Sequence, residues 1–158
     1  MHDPIHVANM FIHHYMGHGY ISNLKLQRLL YAAHGWHLAI NGTPLLSCGI
    51  FADEYGPISK IVYDRLINYG DKLIKIYLPD IIYADDEFRQ YIEMVKDPFV
   101  EALINRIIEV YGKLSVEQLS NWAHASNSPY TIMANNDIVL ATIPDALIKK
   151  YFKSMANK

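Results

Sequence analysis

Residues 22–42 constrain the fold more than any other segment, because their apolar side chains repeat at helical spacing on two sides. The wider stripe consists of Leu26, Leu29, Leu30, Ala33, Trp36, His37 and Ile40, and the narrower one of Leu24, Tyr31 and Leu38. Ser22 is a suitable N-cap, and Asn41-Gly42 is a typical helix end. Gly35 lies between the stripes and indicates that another segment comes close there. A helix that is apolar on two sides packs on two sides, so the pattern predicts a central helix.

Most of the remaining chain is also expected to be helical. Apolar periodicity, with capping residues before it and glycine or proline after it, predicts helices at residues 3–17, 58–69, 86–97, 99–111, 115–123 and 144–152. Residues 45–55 and 74–83 lack this periodicity and are consistent with extended chain or a small strand pair. The sequence therefore predicts a mainly α fold. We expect residues 1–158 to form a compact single-domain helical bundle of about six or seven helices with at most a minor β-hairpin.

Composition and charge narrow the classes of partner. The chain is 51% hydrophobic and 19% charged, which is typical of a folded domain. Its net charge of -2 gives no overall basic excess, and this argues against nucleic-acid binding. No apolar run reaches the length of a membrane span, and the N-terminus lacks the pattern of a signal peptide. Because Cys48 is the only cysteine, no intrachain disulfide can form, and we expect a cytoplasmic protein without a membrane partner.

No residue pattern reaches the specificity of a known catalytic, cofactor or metal site. His34 and His37 are three residues apart on the predicted central helix, but histidines among apolar residues are more commonly hydrogen-bonded core residues than metal ligands. Asp53 and Glu54 precede a turn, at a spacing that matches no nuclease signature, and Cys48 lies in an apolar run. The chain lacks HExxH, GxSxG, GxGxxG and Walker A motifs. We therefore expect no enzyme activity, cofactor or metal, with a metal-dependent hydrolase as the least favoured alternative.

Aromatic residues point to a protein partner instead. The chain contains twelve tyrosines and two tryptophans. Tyrosine and tryptophan are favoured at protein interfaces because they bury a large area and keep a polar tip. Many of them have helical spacing and are expected in the core, but several tyrosines are expected to be partly exposed. These residues permit a binding face and also a homo-oligomer.

Two stretches together resemble one known family, the Panacea-domain antitoxins found among SocA-like and phage-associated proteins. The first stretch, residues 23–39, reads NLKLQRLLYAAHGWHLA, and the second begins with YGPI at residues 55–58. The second stretch continues with Val62-Tyr63 and Tyr69-Gly70. Residues 119–130 and 143–152 resemble later segments of the same domain, so the resemblance covers most of the chain.

The resemblance implies an antitoxin that binds and neutralises a toxin. Members of the family are encoded beside varied toxins, and neutralisation implies either covering the toxin or presenting it to a protease. The alternative is a phage- or host-associated interaction adaptor without a cognate toxin. Autoregulatory DNA binding is a further alternative, which the charge balance disfavours.

The apolar half of the shared pattern is explained by packing, whereas several polar positions within it are not. We interpret these positions, with the neighbouring tyrosines, either as contacts to a partner or as a buried polar network. The residues concerned are Lys25, Gln27, Tyr31, His34, His37, Tyr55 and Tyr63.

Overall fold

A computed structural model describes residues 1–158, which form seven α-helices, one short 3-10 helix and seven β-strands. The helices are α1 (Pro4–Tyr15), α2 (Asn23–Asn41), α3 (Lys60–Leu66), α4 (Pro98–Tyr111), α5 (Val116–Ala123), α6 (Pro129–Asn135) and α7 (Asp145–Ala156), with the 3-10 helix at Ile67–Tyr69. The strands are β1 (Ile21–Ser22), β2 (Ile50–Asp53), β3 (Gly56–Ile58), β4 (Leu73–Ile74), β5 (Asp80–Ala84), β6 (Glu87–Tyr91) and β7 (Ala141–Ile143). None of the helices has the length and apolar character needed to span a bilayer.

Helix α2 is the centre of the fold, as its two apolar stripes predict. The Ser22 hydroxyl accepts a hydrogen bond from the Lys25 amide at its start, and Gly42 ends it in the left-handed conformation at φ 78°. Helices α1, α3, α4, α5 and α7 all pack against α2. Most of its apolar residues belong to one continuous core of 34 buried residues, whereas Ile40 at its end is exposed. Burial on both sides thus holds α2 inside a shell of the other helices.

Gly35 is the point of closest approach between α2 and α7. The ring of Phe152 occupies the space that a Cβ atom at position 35 would fill. Around that ring stand Tyr31, Trp36 and Trp122, with ring centroids 5.4, 5.4 and 6.1 Å from the Phe152 centroid. These edge-on contacts are favourable arrangements of aromatic rings. The absence of a side chain at Gly35 therefore lets an aromatic cluster form at the α2–α7 contact.

The strands form three small antiparallel sheets. The largest has the order β3-β2-β7, with Phe51 paired to Ile58 on one side and to Thr142 on the other. Strand β1 pairs with β4, and β5 pairs with β6 in a hairpin. The β3-β2-β7 sheet therefore joins the middle of the chain to the segment that leads into α7.

The prediction of a mainly α bundle with at most a minor hairpin is wrong, because the fold is mixed α and β. Most of the strands contain only two to four residues, so an alternating pattern has too few positions to be recognised. Strand β7 also pairs with β2 across roughly ninety residues of chain, which no local pattern reports.

The helix expected at residues 86–97 is also wrong, since β6 occupies Glu87–Tyr91 and the following residues are irregular. Both strands of the β5–β6 hairpin lie at the surface, where neither face is buried in the core. A strand without a buried face has no reason to alternate apolar and polar residues. The apolar spacing at residues 86–97 was therefore misleading.

The Gly35→Ala substitution is expected to destabilise the protein by about 1–3 kcal/mol, because the added methyl group overlaps the Phe152 ring. At an unconstrained helical site the same substitution stabilises by up to about 1 kcal/mol, so the sign of the effect is diagnostic. Urea denaturation of Gly35→Ala, Phe152→Leu and the double variant measures the coupling. Strict additivity of the two effects would show that the contact is absent.

Candidate functional site

The two stretches of the shared pattern meet at the side chain of Arg28. Arg28 lies in α2 and is fully buried. Its Nη1 donates a hydrogen bond to the Pro57 carbonyl at 2.9 Å, and its Nη2 donates one to the Tyr55 carbonyl. The planar fork of the guanidinium can bind two carbonyls at once, which a lysine cannot do in the same geometry. Arg28 thus fixes the turn between β2 and β3 on the side of the central helix.

Gln27 makes a second link from α2 to the same segment. Its Oε1 accepts a hydrogen bond from the Ser59 amide at 2.8 Å, and its Nε2 donates to Oδ1 of Asn23 at 2.9 Å. Gln27, Asn23 and Ser59 are all buried. Because Ser59 is the N-cap position of α3, this bond sets where α3 begins. Gln27 therefore belongs to a buried polar network with Asn23 and Ser59.

The Arg28 guanidinium carries a charge into the interior without an ion-pair partner within 4 Å. Burial lowers its pKa to about 10, and the opposing effects of Tyr130, Asp53 and Tyr31 are smaller. Its Nε makes no hydrogen bond within the protein. The charge is therefore stabilised mainly by the two turn carbonyls, so the turn and the side chain depend on each other.

Arg28 was missed among the site residues predicted from the sequence. The sequence contained a signal, because Arg28 is the only charged residue (Asp, Glu, Lys or Arg) in residues 26–52. A single charge in a helix that is apolar on two sides has to be buried or to find a specific partner. That reasoning would have identified Arg28 as an internal hydrogen-bond donor, although it would not have named the turn.

Gly56 is required in the turn for two reasons. Its φ of +127° is a conformation that residues with a side chain rarely adopt. A Cβ atom at this position would lie 2.6 Å from Nη2 of Arg28 and 3.0 Å from Cε1 of His124. The glycine therefore gives the guanidinium room to reach both carbonyls.

His34 joins α2 to α7 and lies away from the turn. Its Nε2 donates a hydrogen bond to Oδ1 of Asp145 at 2.9 Å, and its Nδ1 accepts one from the Leu46 amide at 3.2 Å. The amide must donate, so this network assigns the Nε2–H tautomer. His34 is fully buried, and both of its ring nitrogens are used inside the fold.

His37 has a similar internal arrangement one turn further along α2. Its Nδ1 donates to the Thr43 carbonyl at 2.7 Å, and its Nε2 accepts from Nδ2 of Asn41 at 3.2 Å. The histidine therefore holds the chain where it leaves the end of α2. Since Nε2 of His34 donates and Nδ1 of His34 already accepts, the two histidines do not present a pair of free ligand atoms.

Three other side chains with possible ligand atoms converge near the start of α1. Atoms of Asp3, His6 and Asp80 lie within 4.8 Å of one another. Asp3 accepts a hydrogen bond from the Ile5 amide as the N-cap of α1. Nε2 of His6 lies 2.6 Å from Oδ2 of Asp80, a hydrogen-bond distance. These contacts give each of the three side chains a structural role.

Lys25 and Tyr31 occupy different environments on α2. The half-buried Lys25 donates from Nζ to the Gly112 carbonyl at 2.8 Å, and burial lowers its pKa. Tyr31 is fully buried, and its hydroxyl makes no hydrogen bond within the protein. Burial raises the pKa of Tyr31, with smaller contributions from Tyr151 and Tyr111. Tyr31 is therefore a core residue that cannot reach a partner in this conformation.

Among the predicted residues, Tyr55 is exposed and Tyr63 is half-buried, and both line the same groove. The groove has a cavity volume of about 540 Å³ and is mostly apolar. Its lining includes Leu24, Tyr55, Tyr63, Ile67, Leu73 and Val116. Tyr55 is 60% exposed, and Ile67 and Leu73 are also exposed. Arg28 holds the backbone of Tyr55, and Gln27 holds the start of the helix that carries Tyr63. The buried network thus supports the groove.

Comparison with known proteins identifies the family. The model of the family described as antitoxin SocA-like, Panacea domain, matches residues 26–129. The chain belongs to this family. The resemblance noted in the sequence is therefore confirmed. The matched region begins in α2 and contains Gln27, Arg28, the turn and most of the groove lining.

A curated relative in the family is also similar. The chain is 33% identical over 117 residues to Antitoxin SocA of Caulobacter vibrioides (strain NA1000 / CB15N). The aligned region covers 73% of the chain. The alignment covers 61% of that protein, so the chain spans about three fifths of the length of its curated relative. No solved structure matches the chain.

The Gly56→Ala substitution is expected to destabilise the protein by about 3 kcal/mol, because it combines backbone strain with a collision at Arg28. Gly17→Ala is a matched control, since Gly17 has a φ of +76° but open space around it. The free energy of unfolding of this control is expected to fall by only about 1 kcal/mol. Equal losses in urea denaturation would show that Arg28 does not fill the space beside Gly56.

Tyr31→Phe is expected to stabilise the protein by about 1 kcal/mol near neutral pH, because it removes a buried hydroxyl without a protein partner. Tyr130→Phe is the comparison, since the Tyr130 hydroxyl donates to the Glu54 carbonyl at 3.2 Å and its loss is expected to destabilise. The measurement is the free energy of unfolding by urea denaturation. A loss of stability in Tyr31→Phe would indicate that its hydroxyl is satisfied.

The same variant also tests the direction of the pKa shift. Because the pKa of Tyr31 is raised in the folded state, its hydroxyl ionises more easily in the unfolded chain. The free energy of unfolding is therefore independent of this ionisation below the unfolded pKa of about 10 and falls as pH rises above it. Tyr31→Phe is therefore expected to make the alkaline loss of stability shallower. An unchanged slope above pH 10 would contradict the shift.

Proposed function

We propose that this chain is an antitoxin that binds a toxin protein and neutralises it without catalysis. The observation that carries the proposal is its membership in the antitoxin SocA-like, Panacea domain family, together with its similarity to a protein named as an antitoxin. The buried hydrogen bonds of His34 and His37 agree with a binding role, because these side chains serve the fold. The toxin is the partner that this proposal requires.

We further propose that the groove lined by Tyr55 and Tyr63 is the toxin-binding surface. Tyrosine contributes large contact area and a hydrogen-bonding tip, which makes it a frequent energetic centre of protein interfaces. Ile67 and Leu73 line the same groove and are exposed, so a partner that covers them removes apolar surface from water. Gln27 is assigned to supporting this surface. The other predicted positions are assigned to holding the fold together rather than to touching the toxin, and they are Lys25, Tyr31, His34 and His37.

Neutralisation by occlusion and neutralisation by delivery to a protease make different demands. Occlusion requires only that the complex covers the functional surface of the toxin. Delivery requires that the toxin disappears faster when the antitoxin is present. The amount of toxin in co-expressing cells, followed after synthesis is stopped, distinguishes the two mechanisms, because only delivery shortens its lifetime.

Co-expression with the products of the neighbouring genes tests the proposed function. At least one product is expected to stop growth alone and to permit growth together with this chain, with which it forms a complex. If no neighbouring product is both toxic and relieved by this chain, the antitoxin role is contradicted. An adaptor without a cognate toxin would then be favoured.

The double variant Tyr55→Ala/Tyr63→Ala tests the assigned surface. Toxin binding is expected to weaken by at least about thirtyfold, as for the loss of a central interface residue. The free energy of unfolding is expected to fall by less than about 1 kcal/mol, because Tyr55 is exposed and Tyr63 is only half-buried. Ile132→Ala, at an exposed residue of α6 outside the groove, is the control. Full toxin neutralisation by the double variant would place the interface elsewhere.

A further inference from the structure

The β5–β6 hairpin extends from the fold with neither strand buried. Its strands pair in antiparallel register from Asp80–Tyr91 at the base to Ala84–Glu87 beside the turn. Asp85 and Asp86 form the turn, with φ values of 53° and 59° that match a two-residue type I′ turn. An isolated two-stranded hairpin is only marginally stable in water. The fold must therefore stabilise this hairpin at its base, or a partner must cover it.

The base of the hairpin is anchored by a fully buried asparagine of α1. Nδ2 of Asn9 donates to the carbonyls of Leu78 and Glu93, at 2.8 and 3.0 Å, and Oδ1 of Asn9 accepts from the Leu78 amide at 2.8 Å. One side chain thus holds both ends of the hairpin segment. The His6–Asp80 hydrogen bond adds a contact at the first residue of β5. The hairpin is fixed at its base while its strands remain open to solvent.

One face of the hairpin carries three exposed apolar side chains beside the polar Gln90. Ile81, Tyr83 and Phe88 lie on this face, and they are 59%, 60% and 77% exposed. Tyr83 and Phe88 are directly paired across the strands, with ring centroids 4.8 Å apart. A preordered aromatic pair at the surface is a feature of contact sites, because covering it removes apolar area from water without first ordering the rings.

The same hairpin carries a concentrated negative charge. Residues 80–91 contain four acidic side chains and a single arginine, a net charge of -3, whereas the whole chain has a net charge of -2. Three of the acidic residues, Asp85, Asp86 and Glu87, are consecutive at the tip. Arg89 approaches Asp85 and Glu87 only at 4.0 and 3.8 Å in exposed pairs, which contribute little. The tip therefore favours a cationic partner.

We propose that the β5–β6 hairpin docks an extended segment of a partner protein in which apolar and basic residues alternate. The sheet contains only these two strands, so each has a free backbone edge to which a third strand can pair. Alternation directs the apolar side chains of the added strand onto the face of Tyr83 and Phe88. Its basic side chains then lie on the other face, which carries Asp80, Glu87 and, between them, Arg89, and the acidic tip at Asp85 and Asp86 adds to the attraction.

Charge separates this partner from other possible occupants. A second copy of the chain would bring together two hairpins that each have a net charge of -3, and like charges in neighbouring strands are destabilising. Anionic membranes and nucleic acids would be repelled in the same way. The docking site goes beyond the proposed function, because it is a second surface that shares no residue with the groove of Tyr55 and Tyr63.

The test uses a labelled synthetic peptide of alternating valine and lysine as the probe, and a peptide with glutamate in place of lysine as its counterpart. Fluorescence anisotropy with the full chain is expected to show saturable binding of the lysine peptide that weakens with salt, and no binding of the glutamate peptide. Amide chemical-shift changes are expected to be concentrated in residues 80–91.

Two hairpin variants and a matched control complete the test. Asp85→Asn/Asp86→Asn/Glu87→Gln removes three charges but keeps residues that tolerate the turn, and it is expected to weaken binding roughly tenfold. Phe88→Ser is expected to weaken binding to a similar extent by removing the apolar contact. The control Glu101→Gln/Glu109→Gln/Glu117→Gln removes the same charge from exposed helical sites and is expected to bind like the unaltered chain.

The proposal is overturned by any of three results. These results are that the lysine peptide fails to bind, that both peptides bind equally, or that the hairpin variants bind as strongly as the control. Circular dichroism verifies that each variant keeps the melting temperature of the unaltered chain, which is expected because the substituted side chains are exposed.

Discussion

The turn between β2 and β3 and the groove beside it depend on the buried Arg28 side chain and the two carbonyls that it holds. A guanidinium inside a protein is tolerated only where polar groups replace its lost hydration. Here the carbonyls of Tyr55 and Pro57 do so, and Gly56 makes room for the contact. The helix and the turn therefore form one structural unit, in which the two stretches of the family pattern contact each other.

This unit links the interior to the candidate binding surface. Arg28 sets the path of the turn that presents Tyr55, and Gln27 sets the start of the helix that presents Tyr63. At the other end of α2, His34 and His37 fix α7 and the chain that leaves the helix. The central helix thus uses buried polar side chains for assembly, and the partner contacts are assigned to residues that it positions.

The sequence predicted features whose causes are local. The Ser22 cap and the stop at Gly42 depend on residues within one turn, and the structure contains both of them. The β1–β4 and β2–β7 pairings escaped prediction because these strands are short and their partners are distant in the chain. The β5–β6 hairpin escaped prediction because neither of its faces is buried. The sequence also did not predict that Tyr31 is buried while Tyr55 is exposed, because burial depends on which residues pack over each ring. His34 and Gln27 were identified, but their partners are distant in the chain, so their roles stayed open.

Amide hydrogen exchange in an Arg28→Met variant tests most directly whether this side chain holds the turn and α3 in place. Ser59 and Tyr63 are suitable reporters, because their amides donate to Oε1 of Gln27 and to the Ser59 carbonyl. Their exchange is expected to accelerate by about tenfold or more in the variant, while Leu103 and Ile104 in α4 keep their protection. Unchanged protection of Ser59 and Tyr63 in a folded variant would contradict a dependence of the groove on Arg28.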